Sequence, residues 1–384
     1  MEIKSRFFND PGVNFFLFGP RGTGKSTWLK MQFKEALYID LLSPDLFRLY
    51  SARPERLREI IEGNPDKKIV IIDEIQKVPA ILEIIHQLIE EKKEIRFILT
   101  GSSSRKLKRT GIDLLAGRAI LKTLHPFIVS ELGDTFNIEN ALQYGLIPLI
   151  VNSKKPTESL KAYVSLYLSE EVKMEGLVRN IGDFSRFLEV ISFSNASILN
   201  SSEIARECQV GRKAVEGYLS VLNDLMVAHT LPVFAKKAKR HLISHPKFYF
   251  FDTGVFKALR PSGPLDRPQE IEGSALETLV LQNLIGWNAY SGNRYKIYFW
   301  RTRAGNEVDF IIYGSDGIWA IEVKQSKDIR SKDLKGLKTF KEDYPEAHCI
   351  LIYRGHEKLK KGNIFCIPCE LFLKSLVPGR TIEF

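Results

Sequence analysis

The most informative stretch of this sequence is residues 15–27, FFLFGPRGTGKST, in which an apolar run leads into a glycine-rich turn. The turn has the spacing G-x-x-x-x-G-K-[ST], whose small residues let backbone N–H groups point inward around the phosphates of a nucleotide. We predict a strand over residues 14–18 and a helix over residues 27–33, whose positive N-terminal end faces the anion. The predicted nucleotide contacts come from Gly19, Pro20, Arg21, Gly22, Thr23, Gly24, Lys25, Ser26 and Thr27.

Two side chains of this turn have distinct predicted roles. Lys25 reaches the β- and γ-phosphates, and the Ser26 hydroxyl holds Mg²⁺. A chance glycine-rich turn is the alternative, but the apolar stretch before the turn and the helical pattern after it are the context that phosphate binding requires. ATP and Mg²⁺ are accordingly the predicted cofactors.

A second strand ends in acidic residues. Residues 68–73, KIVIID, are largely apolar and end at Asp73, which Glu74 follows. A nucleotide-hydrolysing enzyme needs two such acids at the carboxyl end of a buried parallel strand. Asp73 is predicted to bind the Mg²⁺ shell, and Glu74 is predicted to polarise the attacking water. The simpler alternative for Asp73 is a helix N-cap.

A third apolar strand, over residues 96–99, runs into Thr100, Gly101, Ser102 and Ser103. Hydroxyl groups at the end of a strand beside the phosphate-binding turn can contact the γ-phosphate, and we assign this role to Ser102. A serine-rich turn without a ligand is the alternative. Strands that alternate with helices in this way predict a parallel sheet with its ligand at the carboxyl edge.

Length and charge limit the class of protein. The chain has 384 residues, enough for two or three domains, and a formal net charge of +10. Basic residues cluster within 106–109, 236–240 and 358–361, so we predict DNA as a partner, with RNA open and a solvated basic surface as the simpler alternative. No apolar run has the length of a membrane span, and the first residues lack a signal peptide's apolar core. We therefore expect a cytoplasmic protein without a membrane partner.

Several stretches together resemble a known family. GPRGTGKST, IVIIDEIQKVP, FILTGSSS, LLAGRA and LHPFIVSEL are similar to consecutive signatures of a prokaryotic family of AAA+ ATPases. LQYGLIPLIV, KFYFFDTGVFKAL and GSALETLVLQNL extend the similarity over nearly the whole chain. In such ATPases an arginine commonly reaches the γ-phosphate, often from a neighbouring subunit, and Arg118 in LLAGRA is the matching position. The resemblance thus implies a homo-oligomer, while a structural salt bridge is the alternative role for Arg118.

The resemblance also implies a fold, because the C-terminal half of this family is a domain of uncharacterised function related to the PD-(D/E)xK nucleases. It predicts an α/β protein with a P-loop AAA+ parallel-sheet domain in residues 1–124 and a helical lid or connector in residues 125–182. A winged-helix region would occupy residues 183–259. An α/β domain like those of restriction endonucleases would occupy residues 260–384.

A helix-turn-helix outline supports the predicted winged helix. Asn200 and Glu203 give a helix start, and a second helix begins at Arg212 after the turn at residues 209–211. Arg212 and Lys213 would then present the first turn of a recognition helix to DNA. A winged helix that binds another protein is the alternative.

The last segment places three charged residues on one face of a predicted hairpin. Its two strands are joined by the turn at residues 314–317. If the residues that flank this turn pair, Asp309 lies opposite Glu322, and Lys324 shares their face. Two carboxylates and a lysine suit a Mg²⁺ ion that polarises a phosphodiester, with Asp309 and Glu322 as ligands and Lys324 activating the water.

This set is similar to the PD-(D/E)xK pattern, with Glu277 as the helical acid, Asp309 as the central acid and Glu322 with Lys324 as the ExK. It departs from the pattern because no proline precedes Asp309, and a structural or inactivated site is the alternative. The sequence therefore predicts a Mg²⁺- and ATP-dependent AAA+ ATPase that acts on or at nucleic acid, with a possible metal-dependent nuclease domain. The alternative is a nucleotide-driven switch or scaffold whose C-terminal domains only bind partners.

Overall fold

The computed structural model describes residues 4–91, 94–101, 115–168, 180–236 and 238–384. The chain divides into two compact units, of which the first is formed by Phe8–His125 together with Asp224–Met226 and the second by the rest of the chain. Ser102 and the basic cluster at residues 106–109 lie outside the described residues. The further division of residues 125–384 into three domains stays a prediction.

A parallel sheet forms the centre of the first unit. Its strands are β1 (Phe15–Phe18), β2 (Leu37–Asp40), β3 (Ile69–Asp73), β4 (Arg96–Gly101) and β5 (Ile120–Thr123). Its helices are α1 (Lys25–Gln32), α2 (Pro44–Ala52), α3 (Arg56–Glu62) and α4 (Ile81–Glu90). The described strands pair in the order β2-β3-β4-β1-β5, all parallel, which confirms the predicted parallel sheet. The carboxyl ends of β1, β3 and β4 therefore meet at one edge.

Burial on both faces explains why the inner strands β1, β3 and β4 read as apolar runs. Every side chain of β1 is buried, and Ile71 and Ile72 in β3 are fully enclosed. Helix α4 adds Ile81 and Ile85, one helical turn apart, to the core. Truncating a buried isoleucine to alanine costs about 2–5 kcal/mol, so this packing is what holds the edge of the sheet in position.

The second unit begins with short helices and a small sheet. The helices are α5 (Val129–Leu132), α6 (Ile138–Tyr144), α7 (Pro148–Val151), α8 (Pro156–Ala162), α9 (Ile181–Ser192), α10 (Ser201–Cys208) and α11 (Arg212–Asp224). The strands are β6 (Ser197–Ile198), β7 (Ala228–Leu231) and β8 (Lys247–Phe250), paired antiparallel in the order β6-β8-β7. Asn200 caps α10, as the sequence predicts, whereas the winged-helix interpretation stays a prediction.

The C-terminal part of this unit is built on a mixed sheet. Its strands are β9 (Tyr295–Arg301), β10 (Glu307–Gly314), β11 (Gly317–Lys324), β12 (His348–Tyr353), β13 (Leu359–Lys361) and β14 (Ile364–Pro368). The helices are α12 (Thr253–Leu259), α13 (Pro268–Tyr290), α14 (Lys335–Asp343) and α15 (Cys369–Ser375). The described strands pair in the order β13-β14-β12-β11-β10-β9, with parallel pairs only where β12 meets β11 and β14.

The hairpin of β10 and β11 has the strand register that the sequence predicts. Tyr313 pairs with Ile318, as the sequence predicts, and the two glycines next in line also pair. The turn therefore has two residues instead of the predicted four. The observed pairs run from Gly314–Gly317 to Phe310–Ile321, and continuing this register by one residue places Asp309 opposite Glu322.

Helix α13 carries the predicted helical acid Glu277. It has 23 residues, Pro268–Tyr290. Most of its middle is buried, which the continuous apolar stretch around Leu279 and Leu281 requires. Across the described part of the chain, no helix has both the length and the apolar composition that a bilayer crossing needs.

Candidate functional site

The phosphate-binding turn has the backbone that its glycines predict. Gly19, Gly22 and Gly24 have φ angles of 150°, 80° and 90°, which favour glycine. A Cβ atom on Gly19 would lie 2.3 Å from the carbonyl oxygen of Leu124, so no larger residue fits there. Helix α1 begins at Lys25 directly after Gly24, and the N–H groups of its first turn have no side-chain cap. These groups can bind an anion.

The Lys25 ammonium lies inside this turn. Its Nζ donates to the carbonyl oxygens of Gly19 at 2.7 Å and Pro20 at 3.2 Å, while Thr23 Oγ1 donates to Pro20 at 2.9 Å. The carbonyl groups thus hold the positive charge where the phosphates of a nucleotide would meet it. A phosphate oxygen carries a negative charge and is a stronger hydrogen-bond acceptor than a carbonyl oxygen. Lys25 can therefore leave the carbonyl oxygens and bind a phosphate with a gain in free energy.

Asp73 ends β3 and is joined to the neighbouring strands. Its Oδ2 accepts a hydrogen bond from the hydroxyl of Tyr38 in β2, and its Oδ1 accepts one from Thr100 in β4. The Ser26 side chain lies near the Tyr38 hydroxyl. The two predicted Mg²⁺ ligands of the first unit, Ser26 and Asp73, are therefore both close to one phenol group.

Glu74 follows Asp73 with a left-handed backbone, at φ 62°, which is uncommon for a residue with a side chain. Its N–H donates to Thr100 Oγ1 at 3.1 Å, and its carboxylate accepts a hydrogen bond from Gln76 Nε2. Local strain of this kind persists only where surrounding contacts impose it. Thr100 and Gln76 are those contacts, and they hold Glu74 at the carboxyl edge of the sheet.

These groups fit Mg²⁺ and a nucleotide. The Ser26 hydroxyl and the Asp73 carboxylate are oxygen ligands, and Mg²⁺ usually binds one or two protein ligands together with phosphate and water. Burial, followed by the bond to Asp73, raises the pKa of Tyr38. Its hydroxyl consequently stays protonated at neutral pH and donates to Asp73, in competition with a metal ion for the same oxygen.

We expect Tyr38→Phe to bind Mg²⁺-ATP about 2- to 10-fold more tightly than the wild type, because a hydrogen bond that competes with the metal is absent. Isothermal titration calorimetry with ATP in Mg²⁺ and in EDTA measures the effect, which should appear only in Mg²⁺. Tyr298→Phe, in the second unit, is the control and should match the wild type. Weaker Mg²⁺-ATP binding by Tyr38→Phe would contradict the competition.

Arg118 lies at the opposite edge of the same sheet. Asn14, which precedes β1, donates from Nδ2 to the Arg118 carbonyl oxygen at 3.2 Å, and the Arg118 guanidinium forms an ion pair with Glu90. The phosphate-binding turn, in contrast, follows the carboxyl end of β1. Arg118 is thus remote from the nucleotide site of its own chain, and contact with the nucleotide of a neighbouring subunit stays a prediction.

The second unit contains a group of four acidic side chains, here called the carboxylate cluster: Glu277 in α13, Glu307 and Asp309 in β10, and Glu322 in β11. Asp309 Oδ2 accepts a hydrogen bond from the Val323 N–H at 2.9 Å. Lys324 Nζ donates to Glu322 Oε1 at 2.5 Å. The structure therefore brings together all four residues of the predicted nuclease pattern.

A further residue, Lys247, lies among these acids. It is the first residue of β8, and its side chain is only 3% exposed. Its Nζ is 3.3 Å from Asp309 Oδ1 and 3.5 Å from Glu277 Oε2, and it forms an ion pair with Glu307. Tyr249, on the same side of β8, donates its hydroxyl to Glu277 Oε2 at 3.1 Å. One strand thus contributes both a cation and a hydrogen-bond donor to the carboxylate cluster.

Burial and mutual repulsion raise the pKa values of two acids in the carboxylate cluster. Burial, with Asp309 nearby, raises the pKa of Glu277 to about 8 and the pKa of Glu322 well above its usual value. Burial alone would lower the pKa of Lys247 and of Lys324, but the acids around them outweigh it and raise both. Both lysines are accordingly charged at neutral pH.

As it stands, the carboxylate cluster does not fit the predicted Mg²⁺ ion. Within the ranges that the structure describes, no group of three or more histidine, cysteine, aspartate or glutamate side chains is arranged to hold a metal. The ammonium of Lys247 lies between Glu277 and Asp309, where a shared metal would bind. A metal-dependent step at this cluster has no support in this geometry.

The sequence gives no functional role to Tyr38, Lys247 or Glu307, and the γ-phosphate contact of Ser102 stays a prediction because Ser102 lies outside the described residues. Thr100 is the hydroxyl that the structure places beside Asp73. A weak signal for Lys247 exists, because it is a lysine that opens an aromatic strand, KFYF, with all four residues buried. A lysine at such a position requires an acidic partner.

Three family models match consecutive parts of the chain. Residues 14–133 match the family model of the AAA domain. Residues 135–266 match a domain of unknown function (DUF8612), and residues 272–372 match another (DUF4143). The AAA domain thus contains the phosphate-binding turn, Asp73 and Glu74, whereas the carboxylate cluster falls in the second domain of unknown function.

Three solved structures are distantly similar to this chain. AMPPCP-bound DnaA from Aquifex aeolicus is 16% identical with a TM-score of 0.30, over 55% of this chain and 82% of that chain. C. elegans PCH-2 is 17% identical with a TM-score of 0.24, over 54% and 61%. Protein VC1899 from Vibrio cholerae is 12% identical with a TM-score of 0.23, over 89% and 96%. No curated protein matches.

Proposed function

We propose that the AAA domain binds ATP with Mg²⁺ and hydrolyses it. The observation that carries this proposal is the meeting of Lys25, Ser26, Asp73 and Glu74 at one carboxyl edge of the parallel sheet. Three different strands contribute to that edge, and a phosphate, a metal ion and a water molecule each have a suitable side chain there.

Each residue has a separate role in this proposal. Lys25 and the N–H groups of the turn bind the phosphates, and Ser26 with Asp73 holds Mg²⁺, which offsets the negative charge of the phosphates. Glu74 orients the attacking water and accepts its proton, and Thr100 positions Glu74 through its N–H. Arg118 would complete the site of a neighbouring subunit if the chain assembles with copies of itself.

Release of phosphate from ATP by the full chain tests the proposal directly. We expect turnover in Mg²⁺ and none in EDTA, since the phosphates then lack their counter-ion. Absence of both ATP binding and turnover in Mg²⁺ would contradict the proposal.

For the second unit we propose a partner-binding role instead of metal-dependent cleavage. The observation that favours it is Lys247, which already supplies a cation to the carboxylate cluster. Nucleic acid is the partner that the basic clusters predict. Arg240 is paired with two acids, Glu342 and Asp343, and its side chain is 39% exposed. Arg212 is paired with Glu216 in the same helix, but its side chain is 67% exposed, so Arg212 with Lys213 in α11 is the better candidate contact.

We expect the double variant Arg212→Ala with Lys213→Ala to weaken DNA binding and to reduce the slope of log K against log salt by about 2, because two phosphate contacts are lost. Fluorescence anisotropy with a labelled duplex at several salt concentrations measures the slope. The control is Lys335→Ala with Lys338→Ala, which removes the same charge from exposed positions of α14. Equal slopes for the two double variants would exclude α11 as the contact.

A further inference from the structure

We propose that Lys247 is the resident cation of the carboxylate cluster: its ammonium takes the place of a divalent metal ion and excludes one from this site. The proposal concerns the second unit alone and is independent of ATP hydrolysis. It assigns Lys247 a role in ligand specificity, because the same acids without this lysine would form a site for a divalent cation.

The position of Lys247 is set by the backbone. It lies in β8, the central strand of the small sheet, and pairs there with Ile198 in β6 and Leu231 in β7. Side chains alternate along a strand, so Lys247 and Tyr249 reach the carboxylate cluster together while Phe248 lies on the other face. Pairing on both sides prevents β8 from sliding, and the ammonium is therefore held in place.

Distances around the ammonium are those of a nitrogen cation. Mg²⁺ requires oxygen ligands at about 2.1 Å in a near-octahedral arrangement. Lys247 Nζ instead lies 3.3 Å from Asp309 and 3.5 Å from Glu277, with Glu307 as a third acidic contact. An ammonium has three N–H donors, which equals the number of acids around it. A second cation at the same place would meet both steric overlap and charge repulsion.

One carboxylate oxygen of the site has no hydrogen-bond donor among the described residues. Lys247, Lys324 and Arg301, whose Nη1 is 2.9 Å from Glu307 Oε2, face the four acids of the carboxylate cluster. Glu322 Oε1 accepts from Lys324, but Glu322 Oε2 is buried and finds no hydrogen-bond partner in the described part of the chain. A buried oxygen of this kind is a ready metal ligand, which we expect a cation to use once Lys247 is removed.

The test compares Mn²⁺ binding by nucleotide-free full-length protein and its variants. Lys247→Met keeps the length of the side chain and removes the charge. We expect it to have a lower melting temperature than the wild type in EDTA, because buried carboxylates lose their counter-ion. We expect Mn²⁺ at about 100-fold above its Kd to raise that temperature by about 5 °C. Calorimetric titration should show one Mn²⁺ more per chain than in the wild type.

Two further variants locate the metal. Lys247→Met combined with Asp309→Asn should lose the additional Mn²⁺, and Lys374→Met, at an exposed position of α15, should behave as the wild type. A folded Lys247→Met that gains no Mn²⁺ would overturn the proposal. The proposal would also be overturned if the wild type bound Mn²⁺ and the Asp309→Asn variant did not. This second comparison needs only the wild type and Asp309→Asn, so it decides the matter even if Lys247→Met does not fold.

Discussion

Glu74→Gln is expected to bind ATP as the wild type does and to hydrolyse it about 10²- to 10⁴-fold more slowly, the usual contribution of a general base. Glutamine has the size of glutamate but cannot accept the proton of the attacking water. The backbone contacts that position residue 74, from its N–H to Thr100, do not involve its side chain and remain. Phosphate release at saturating Mg²⁺-ATP measures the rate, and a fluorescent ATP analogue measures binding.

Two variants separate the role of Glu74 from general effects. Lys25→Ala should lose ATP binding, because the ammonium and its contacts within the turn are removed. Glu83→Gln, at an exposed position of α4, makes the same chemical change away from the site and should have no effect. Turnover by Glu74→Gln at the wild-type rate would remove Glu74 from the mechanism while leaving nucleotide binding possible.

Asp252→Ala is expected to lower the free energy of unfolding of the second unit by about 3–5 kcal/mol. Asp252 is fully buried and accepts four hydrogen bonds. Its Oδ1 accepts from the N–H groups of Gly254 at 2.9 Å and Val255 at 3.2 Å. Its Oδ2 accepts from the Leu146 N–H at 2.7 Å and Gln282 Nε2 at 3.3 Å. Alanine would leave these buried donors without acceptors and remove the N-cap of α12.

Denaturation followed by tryptophan fluorescence measures this loss, with the transitions of the two units fitted separately. Asp252→Asn should be intermediate, because its amide keeps one acceptor oxygen but turns an N–H donor toward other donors. Asp328→Ala, an exposed position in the same unit, is the control and should change stability by less than about 0.5 kcal/mol. If Asp252→Ala were as mild as Asp328→Ala, the four hydrogen bonds would not be a main support of this region.

The stretch KFYFFDTGVFKAL contains two residues whose contacts lie far away in the sequence. It contains Lys247, which enters the carboxylate cluster, and Asp252, which caps α12 and binds the Leu146 N–H. Gly145 has φ 75°, and a Cβ atom there would lie 1.9 Å from Asp252 Oδ1, so that glycine is required for the aspartate to fit. The sequence marks this stretch as largely apolar, but nothing local indicates which distant groups Lys247 and Asp252 meet.

The sequence by itself determined the parts of the protein that depend on near neighbours along the chain. The glycine spacing before Lys25 predicts a turn with positive φ angles, and the apolar run that ends at Asp73 predicts a buried parallel strand. The strand period and the turn at residues 314–317 predict that Asp309 lies opposite Glu322, and the observed pairs run from Gly314–Gly317 to Phe310–Ile321. Each of these inferences needs only a window of some 15 residues, within which periodicity and backbone sterics act.

Only the tertiary structure decided which side chains from distant parts of the sequence meet. Tyr38 reaches Asp73 across 35 residues of sequence, and Lys247 reaches Asp309 across 62. The parallel pairing of β5 with β1 likewise places Arg118, which precedes β5, at the edge of the sheet away from the phosphate-binding turn. The physical reason is that sheet order and packing follow from burial summed over the whole chain, whereas a local pattern specifies a strand without specifying its neighbours.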